Sequence, residues 1–523
     1  NSGGVLDVQA GRFLMSGDVT AGGLSGAGTI AVAGAASKWF FVNNPADSVY
    51  SGSLQNASAT VRLGLTKRGV GMLTLGGTNT LGDNFAVENG LVKITGTTTA
   101  GVSGANGTTS VGTIGGQNGR MLIDGGTLNA TRTTSPSVAI ATAANSNGFL
   151  KMTTGSIASS SESHIGRPQA GSCPAFTQTG GTLTTGAWLV VGLNNDRAVL
   201  NQSGGSIIVN ANRMTIGAGG AGSIGVVNLS GGTFNVKAGG NTGLFVGENG
   251  TGTVNVSGTA DVSLSTDGSA NSGTLVLGGN AASLGGQLNL LGGKISTFGV
   301  IKGASSATAA YKVSFNGGTL KAEANNPIFF EENAAIEAYV YPAGGTIDNN
   351  GKAITINEKL LAPTGNGVSA TGLTVSGGGY FDTPLVTITG GGGIGASAVA
   401  TIDASGNLTG IQITNPGINY TSAPTFALVG GGVGNTGAIG VAVAYERYEI
   451  ALVLSIINFA TLPFMSPFKS ALRADRPRDG GARGADERDA HEAAVAGPDA
   501  GEAEPALHLH PRGDGGEEVG TTG

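Results

Sequence analysis

The sequence predicts an all-β protein: a right-handed parallel β-helix (solenoid) of about 25-residue coils, followed by a small all-β repeat module and a disordered C-terminal tail. The first observation behind this prediction is a phrase that returns as FTQTGGTL at 176–183, LNQSGGSI at 200–207 and VNLSGGTF at 227–234. Its first glycine advances by 24 residues (180 to 204) and then by 27 (204 to 231). Such a period is typical of solenoids and repeat arrays.

The second observation is an element that lies between the phrases, an apolar pair closed by glycine. It reads VVG at 190–192, TIG at 215–217 and FVG at 245–247. One repeat is therefore a coil of about three short strands with glycine corners. Each coil offers too few apolar residues to bury a core alone, so coils must stack on copies of themselves. We expect the phrases to form one row along the rod, with Leu183, Ile207 and Phe234 buried in register.

The third observation is the composition. Glycine supplies 96 of 523 residues, while charged residues make up 11% and aromatic residues 5%. This is neither a charge-rich disordered chain nor an ordinary enzyme composition, and glycine lacks the three-residue period of collagen. A net charge of -6 without a basic cluster argues against a nucleic-acid partner. The single cysteine, Cys173, cannot form an internal disulfide.

The first 60 residues already show short strands punctuated by glycine, and the most specific stretch follows them. Residues 65–80 read LTKRGVGMLTLGGTNT. This stretch resembles the autotransporter-associated β-strand repeat, whose pattern runs L-T-K-x-G-x-G-x-L-T-L-x-G-x-N-T-Y. Val87, Gly90 and Leu91 match the end of that repeat. Leu81 stands in place of the family's tyrosine, so this copy departs from the pattern in its middle.

The resemblance implies the passenger region of an autotransporter-type protein, which is secreted across the outer membrane and displayed at the cell surface. Adhesion or contact with a matrix is the usual task of such regions. The implied location is therefore extracellular or the bacterial outer-membrane surface. Because the chain starts at Asn1 without an initiator Met or a signal peptide, we interpret it as a fragment or a processed form. The sequence departs from the family in lacking an amphipathic β-barrel translocator at its C-terminus.

Weaker copies of the coil extend the predicted β-helix over residues 1–360, with roughly fourteen coils and a rod on the order of 65 Å long. Within a strand, the side chains should alternate between the core and the outside. We expect Val254 and Val256 to point inward and Thr253 and Asn255 to point outward. Outward rows of Thr and Asn are the surface on which we expect any function of the rod.

A different repeat begins after the rod. LTVSGGGYFDTP at 373–384 returns as ITNPGINYTSAP at 413–424, and Tyr380 and Tyr420 lie 40 residues apart. Each copy runs into a glycine string. The pattern resembles the Gly-Tyr-x-x-x-Pro β-repeat of large bacterial surface proteins, and we assign residues 361–445 to a small all-β module with two pseudo-symmetric halves.

The chain changes character near its end. Residues 446–468 form an apolar segment interrupted by Asn458, Pro463 and Pro467, which favours a weak or interfacial segment over a membrane span. Residues 469–523 are rich in Ala, Arg, Asp, Glu, Gly and Pro and are predicted to be disordered. Our hypothesis is that this tail is an out-of-frame or foreign reading of high-GC DNA.

Catalytic chemistry would require charged side chains that converge on one face. The rod offers mostly isolated charges, of which the examples are Asp124, Asp196, Arg197, Glu248 and Asp261. The adjacent acids Glu331 and Glu332 are interpreted as part of a solvated loop rather than as an acid–base pair, because adjacent residues in a strand face opposite sides. His164 and Cys173 supply only two zinc ligands, and we expect a loop histidine and a small buried cysteine. We therefore predict no catalytic, cofactor-binding or metal-binding residue, and a protein that is not an enzyme.

The remaining candidates are aromatic. Trp39 and Trp188 are candidate surface contacts for carbohydrate, because an exposed ring can stack on a sugar; packing in the core or at a cap is the alternative. The predicted partner is a cell-surface or matrix polysaccharide or protein. Two other functions stay open at this point: a polysaccharide-acting β-helix enzyme (a lyase or hydrolase), and a self-associating surface fibre.

Overall fold

The computed structural model describes residues 3–101, 107–167, 171–237, 243–266, 272–432 and 434–440, and the backbone of strands at 445–447, 454–457 and 506–508. All regular structure in these ranges is β-strand. None of the described residues belongs to a helix that could span a membrane. The predicted fold class is confirmed: parallel sheets stack into a β-helix, and antiparallel strands follow it.

Three long sheets run along the rod, and each coil contributes one strand to each of them. Sheet 1 consists of Val19–Ala21, Lys38–Val42, Leu63–Lys67, Phe85–Val87, Thr109–Val111, Val138–Ile140, Ser163–Ile165, Leu189–Leu193, Met214–Ala218, Gly243–Val246, Thr274–Leu277, Gly299–Lys302, Asn326–Phe330 and Ile354–Ile356. Sheet 2 consists of Ser48–Tyr50, Met72–Leu75, Gly90–Ile94, Asn118–Ile123, Asn147–Met152, Ala175–Gln178, Arg197–Gln202, Ile224–Leu229, Thr251–Val256, Gly285–Leu290, Ala310–Phe315, Ile336–Val340 and Leu360–Leu361. Sheet 3 consists of Thr78–Leu81, Thr97–Ala100, Thr127–Ala130, Ser156–Ser159, Thr182–Thr185, Ser206–Val209, Thr233–Val236, Asp261–Leu264, Lys294–Thr297, Thr319–Ala322 and Gly345–Asp348, extended by Leu454–Ile457 and Ala506–His508.

The rod begins with shorter strands that precede sheets 2 and 3. Val5–Asp7 pairs with Gly23–Ser25, and Arg12–Met15, Thr29–Val32 and Ser53–Gln55 form a three-stranded sheet. These pairs are parallel, as in the long sheets. The β-helix therefore starts within the first coil that the structure describes.

The core is a narrow apolar cylinder enclosed by the three sheets. In sheet 3, Leu183 pairs with Ile207 and Ile207 with Phe234, and all three side chains are buried. The predicted register of the repeated phrase is therefore confirmed. In sheet 1, Val191 and Ile216 of the second element stack in the same way. Alternation along each strand places one side chain in two against this core.

Glycine is required at the corner between sheets 2 and 3. The second glycine of the phrase has a positive φ, 72° at Gly205 and 78° at Gly232. A Cβ at either position would stand 2.4 Å from a carbonyl oxygen of the preceding coil. Only glycine combines this left-handed backbone with so close an approach. The Gly-Gly-Thr/Ser phrase is therefore a corner followed by a strand.

Coil length varies although the stacking does not. Paired residues of sheet 2 are 19 residues apart between Leu73 and Val92 and 34 apart between Val254 and Leu288. The extra residues lie in loops, because the strands keep their pairing. The fourteen strands of sheet 1 give a rod roughly 60 Å long at about 4.8 Å per step.

The module after the rod is antiparallel. Its main sheet has the order Leu408–Asn415, Ser397–Ile402, Leu385–Thr389, Thr425–Val429. Two further antiparallel pairs join Asn366–Val368 to Tyr445–Arg447 and Thr374–Ser376 to Ala438–Gly440. One side of the main sheet packs on the module's own core, which contains Tyr380, Val386, Ala398, Ala400, Leu408 and Ile411.

The two halves of the module exchange contacts. Buried Tyr380 of the first half lies against the glycine string of the second, where a Cβ at Gly431 would stand 2.5 Å from its ring. Buried Tyr420 of the second half lies against the string of the first, where a Cβ at Gly393 would stand 2.3 Å from its ring. Each tyrosine therefore completes the packing of the other half.

The module folds back along sheet 2 instead of continuing the rod. Tyr339 and Tyr341 of the rod pack with Ile418 of the module near the end of the rod. Farther back, Phe149 contacts Phe381, with ring centroids 6.1 Å apart. These contacts span the strands from Asn147–Met152 to Ile336–Val340, eight strands of sheet 2. The covered length is roughly 34 Å at about 4.8 Å per step.

Several predictions fall outside the described residues. The structure describes only strand backbones within the apolar segment 446–468 and the tail 469–523, at 446–447, 454–457 and 506–508. Leu454–Ile457 pairs in parallel with Gly345–Asp348 of sheet 3. The reading frame of the tail stays a hypothesis.

Candidate functional site

An asparagine ladder runs along the outward side of sheet 2. Asn201, Asn228, Asn255 and Asn289 occupy the same position in four successive strands. Each Nδ2 donates to the Oδ1 of the preceding coil, at 2.8 Å for Asn228, 2.7 Å for Asn255 and 2.8 Å for Asn289. Asn201 donates to the Thr177 hydroxyl at 3.2 Å. The side chains form one polarised chain of hydrogen bonds along the rod axis.

The module closes this chain at its C-terminal end. The next rung of the row is Ser314, which is paired with Asn289 in the sheet and has a shorter side chain than asparagine. Asn415 of the module donates to Asn289 Oδ1 at 2.9 Å and to Ser314 Oγ at 2.8 Å. Asn415 therefore acts as the missing amide rung. We call this contact the asparagine lock.

The module also closes the chain at its N-terminal end. The Thr177 hydroxyl donates to Asp382 Oδ1 at 2.7 Å, and the Thr383 N–H donates to the same oxygen at 2.7 Å. Asp382 is buried, and burial raises the pKa of its carboxyl despite both hydrogen bonds and the positive charge of Lys151. We call this contact the aspartate lock.

Apolar contacts reinforce the aspartate lock. Leu385 and Val429 of the module pack on a cluster of outward side chains of the rod, namely Phe149, Ala175, Val199, Ile224 and Val226, together with Cys173. Arg120 places its guanidinium 4.2 Å from the centroid of the Phe381 ring. A cation over an aromatic face is attractive by about 1 kcal/mol. Both polar and apolar contacts therefore hold the module in one position.

Between the two locks the module stands away from the ladder, and the gap is a cleft of about 300 Å³. The rod lines it with Asn201, Gln202, Ser203, Asn228, Ser230, Asn255, Ser257 and Leu291. The module lines it with Thr383, Val399, Ala400, Thr401, Ile402, Gln412 and Thr414. These lining residues, all within the described ranges, include no charged side chain and no aromatic ring. The cleft is therefore suited to hydrogen bonding with an uncharged ligand rather than to acid–base chemistry.

The structure places the two tryptophans elsewhere. Trp39 lies on strand Lys38–Val42 and covers Gly64 of the next coil, where a Cβ would stand 2.4 Å from the ring. Trp188 precedes strand Leu189–Leu193, six strands away in sheet 1. Arg213 stacks on Trp188 with its guanidinium 4.5 Å from a ring centroid, so part of the ring is already used. Both tryptophans stay partly exposed, and they are not brought together.

Four of the five charges cited from the sequence lie in coil-to-coil contacts or corners. Asp124 pairs with Lys93 at 2.7 Å, and Asp261 pairs with Lys294 at 3.1 Å. Glu248 pairs with Arg213, and burial raises the pKa of Glu248 while the arginine opposes that rise. Each of these pairs joins successive coils. The pairs therefore link successive coils of the rod, and they do not bring these acids together at one place.

Asp196 lies at the corner between strands Leu189–Leu193 and Arg197–Gln202, and no salt bridge among the described residues joins its carboxylate to Arg197. Its side chain is buried and its Oδ1 accepts the N–H of Arg197, whose own side chain points to solvent. Burial raises the pKa of Asp196 to about 8. The corner bends tightly because Asn194 and Asn195 both have a positive φ. The carboxyl therefore serves as a cap for backbone N–H groups.

Glu331 and Glu332 lie in the loop that follows strand Asn326–Phe330, and their side chains bind different partners. Glu331 accepts the N–H of Lys302 at 2.7 Å, and Glu332 pairs with Lys359 at 2.9 Å. The prediction of a loop histidine was wrong: His164 lies within strand Ser163–Ile165 and is buried. In the described ranges, no group of three or more His, Cys, Asp or Glu could hold a metal ion.

His164 belongs to a small ionisable cluster on the outward side of sheet 1. Its Nε2 lies 2.7 Å from Glu162 Oε2, which also accepts the Ser135 hydroxyl. These two hydrogen bonds, with the positive charge of Arg167, lower the pKa of Glu162. Burial lowers the pKa of the Arg167 guanidinium, and the positive charge of nearby Arg132 lowers it further.

Sequence reasoning missed the cleft because it treated the rod and the module as independent. The available signal was a run of apolar residues at outward strand positions of sheet 2, such as Phe149, Val199 and Val226. An outward apolar row indicates that something covers it. The chain has no match among protein-family models, curated proteins or solved structures.

Proposed function

We propose that this chain is a non-enzymatic secreted or cell-surface protein of the passenger type, with an adhesive or structural matrix role at an extracellular or outer-membrane surface. A β-solenoid is compatible with such a role because it presents long rows of side chains over an extended surface. Repeated rows favour multivalent contact, in which many weak interactions add up.

The observation that carries the proposal is that charged side chains of the rod form salt bridges between successive coils. Lys294 is the sheet partner of Asp261, and Lys321 is the sheet partner of Asp348. Both pairs form salt bridges, at 3.1 Å and 3.6 Å. Charged side chains in these positions stabilise the stacking of coils and are already paired, so they do not supply free acids and bases to one groove.

The test is to incubate the full chain with immobilised polysaccharides and matrix proteins and to measure both retention and released fragments. We expect saturable retention without release of new reducing ends or unsaturated sugars. Heat-denatured protein is the control for non-specific retention. Release of fragments that rises in proportion to the protein concentration and the incubation time would contradict the proposal.

A second candidate function, a polysaccharide-acting enzyme, is favoured by the Glu162–His164 cluster, where Arg132 and Arg167 also converge. Two features oppose this function. Glycoside hydrolysis requires a pair of carboxyl groups, and no second carboxylate lies beside Glu162 among the described residues. The pKa of Glu162 is lowered, whereas the general acid of that reaction has a raised pKa. If fragments are released, Glu162→Gln should abolish release while Glu332→Gln, at an exposed rung, should not. Equal loss in both variants would exclude this cluster as the site.

A further inference from the structure

The two locks hold the module at a fixed distance from the middle of the ladder. The aspartate lock engages Thr177 and the asparagine lock engages Asn289, which lies four coils farther along sheet 2. At about 4.8 Å per coil the locks are roughly 19 Å apart. Asn201 and Asn228 lie between them and stay partly exposed, whereas Asn255 and Asn289 are buried.

The exposed rungs keep unused hydrogen-bonding capacity. A carboxamide has two N–H donors and two lone pairs on its oxygen. The ladder bonds of Asn201 and Asn228 use one N–H and one lone pair of each. Each of these rungs can therefore offer one further donor and one further acceptor to a molecule in the cleft.

The opposite wall of the cleft has matching chemistry. Thr401 and Gln412 are exposed on neighbouring strands of the module and line the cleft. Val399 is paired with Gln412 in the sheet and adds an apolar surface beside it. Hydroxyl and carboxamide groups that both donate and accept, together with aliphatic patches, suit a ligand whose polar groups are hydroxyls on an aliphatic ring.

We propose that this cleft binds a linear, uncharged oligosaccharide that lies along the rod axis between the two locks. The proposal rests on the proposed function, and it assigns the site and the ligand class. An anionic glycan is disfavoured because no cation lines the cleft to compensate its desolvation.

The test measures binding of the full chain to trisaccharides, which are short enough to lie between the locks, by isothermal titration calorimetry. The neutral probes are cellotriose, xylotriose and tri-N-acetylchitotriose, and the comparison probes are trigalacturonate and an extended threonine-rich peptide. The test variant is Thr401→Val with Gln412→Ala, which removes two exposed cleft groups and leaves the locks intact. The matched control is Thr425→Val, an exposed strand threonine of the same sheet outside the cleft.

We expect at least one neutral trisaccharide to bind, with about tenfold weaker affinity in the double variant, the loss expected for one to two hydrogen bonds. The control should bind like the wild type, and thermal unfolding of all variants should coincide. The proposal is overturned if no neutral probe binds, if only trigalacturonate or the peptide binds, or if the double variant binds like the wild type. Surface retention that survives in the double variant but is lost in Trp39→Ala or Trp188→Ala would overturn this site while leaving the adhesive function standing.

Discussion

Sheets 2 and 3 of the rod are built from the same coils and enclose the same core, yet their outward sides differ. On sheet 2 the ladder asparagines bond to one another and carry the module, and Asn255 is buried there. On sheet 3, Thr233 donates to Ser206 at 3.0 Å and remains exposed. Inward residues therefore determine that a coil stacks, whereas outward rows determine what the stack contacts.

The largest expected difference between these faces, measured as the free energy of unfolding lost on substitution, concerns the asparagine ladder. Asn255→Ala leaves Asn228 Oδ1 without its donor and leaves Asn289 Nδ2 with the Ser397 hydroxyl of the module, at 3.2 Å, as its remaining acceptor. We expect a loss of about 3 kcal/mol in the free energy of unfolding, since unpaired buried polar groups are costly. Asn235→Ala, at a partly exposed outward position of sheet 3, should cost about 0.5 kcal/mol or less. Chemical denaturation of both variants measures the difference, and equal losses would contradict a special role for the ladder.

A variant of the asparagine lock tests whether the module can undock while the rod stays folded. Asn415→Ala removes the bonds to Asn289 and Ser314 and should weaken docking by about 2 kcal/mol. Hydrogen exchange should then accelerate in strand Leu408–Asn415 and remain unchanged in the strands of sheet 3. Thr425→Ala, outside the interface, is the control. Uniform acceleration across the rod and the module would show that the two unfold as one unit.

The aspartate lock makes docking of the module on sheet 2 depend on pH. Because burial raises the pKa of Asp382 above its usual 3.8, docking is strongest below that value and weakens as pH rises through the docked pKa. Asp382→Asn keeps the acceptor oxygen and removes the ionisation. We expect this variant to lose the pH dependence of module exchange and to dock about 1 kcal/mol more tightly at neutral pH.

The control for this experiment is Asp403→Asn, in an exposed turn of the module, where hydrogen bonds from Asn407 lower the carboxyl pKa. That variant should keep the docking profile of the wild type. If the hydrogen exchange of the module still depends on pH in Asp382→Asn, another group is responsible for that dependence.

The smallest expected effect concerns ion pairs of the same type on the two faces. Lys294→Ala removes a half-exposed pair with Asp261 on sheet 3 and should cost about 0.5 kcal/mol, falling with added salt. Lys312 pairs with Glu337 at 2.6 Å on sheet 2, and its stem lies beneath Gly395 of the module. Lys312→Ala should cost about 1 kcal/mol and respond less to salt. Equal costs and equal salt responses would show that the module does not shield this face.

The sequence predicted the rod well because its stacking is local and periodic. Leu183, Ile207 and Phe234 follow from a phrase repeated every coil, and each contacts its counterpart one coil away. The docking contacts have no such period: Asn415 meets Ser314 across 101 residues, and Thr177 meets Asp382 across 205. A pattern that repeats along the chain reports on neighbours in the stack and is silent about a module that folds back over it.

Each tyrosine of the module packs on glycines of the other half, so the two 40-residue copies are expected to be inherited together. Tyr380 needs the glycine string that follows Tyr420, and Tyr420 needs the string that follows Tyr380. A single 40-residue copy would expose its tyrosine and leave its glycines uncovered, so it lacks a complete core. Duplication or deletion of this unit during evolution should therefore occur in pairs, and a protein with an odd number of copies would need a different partner for the last one.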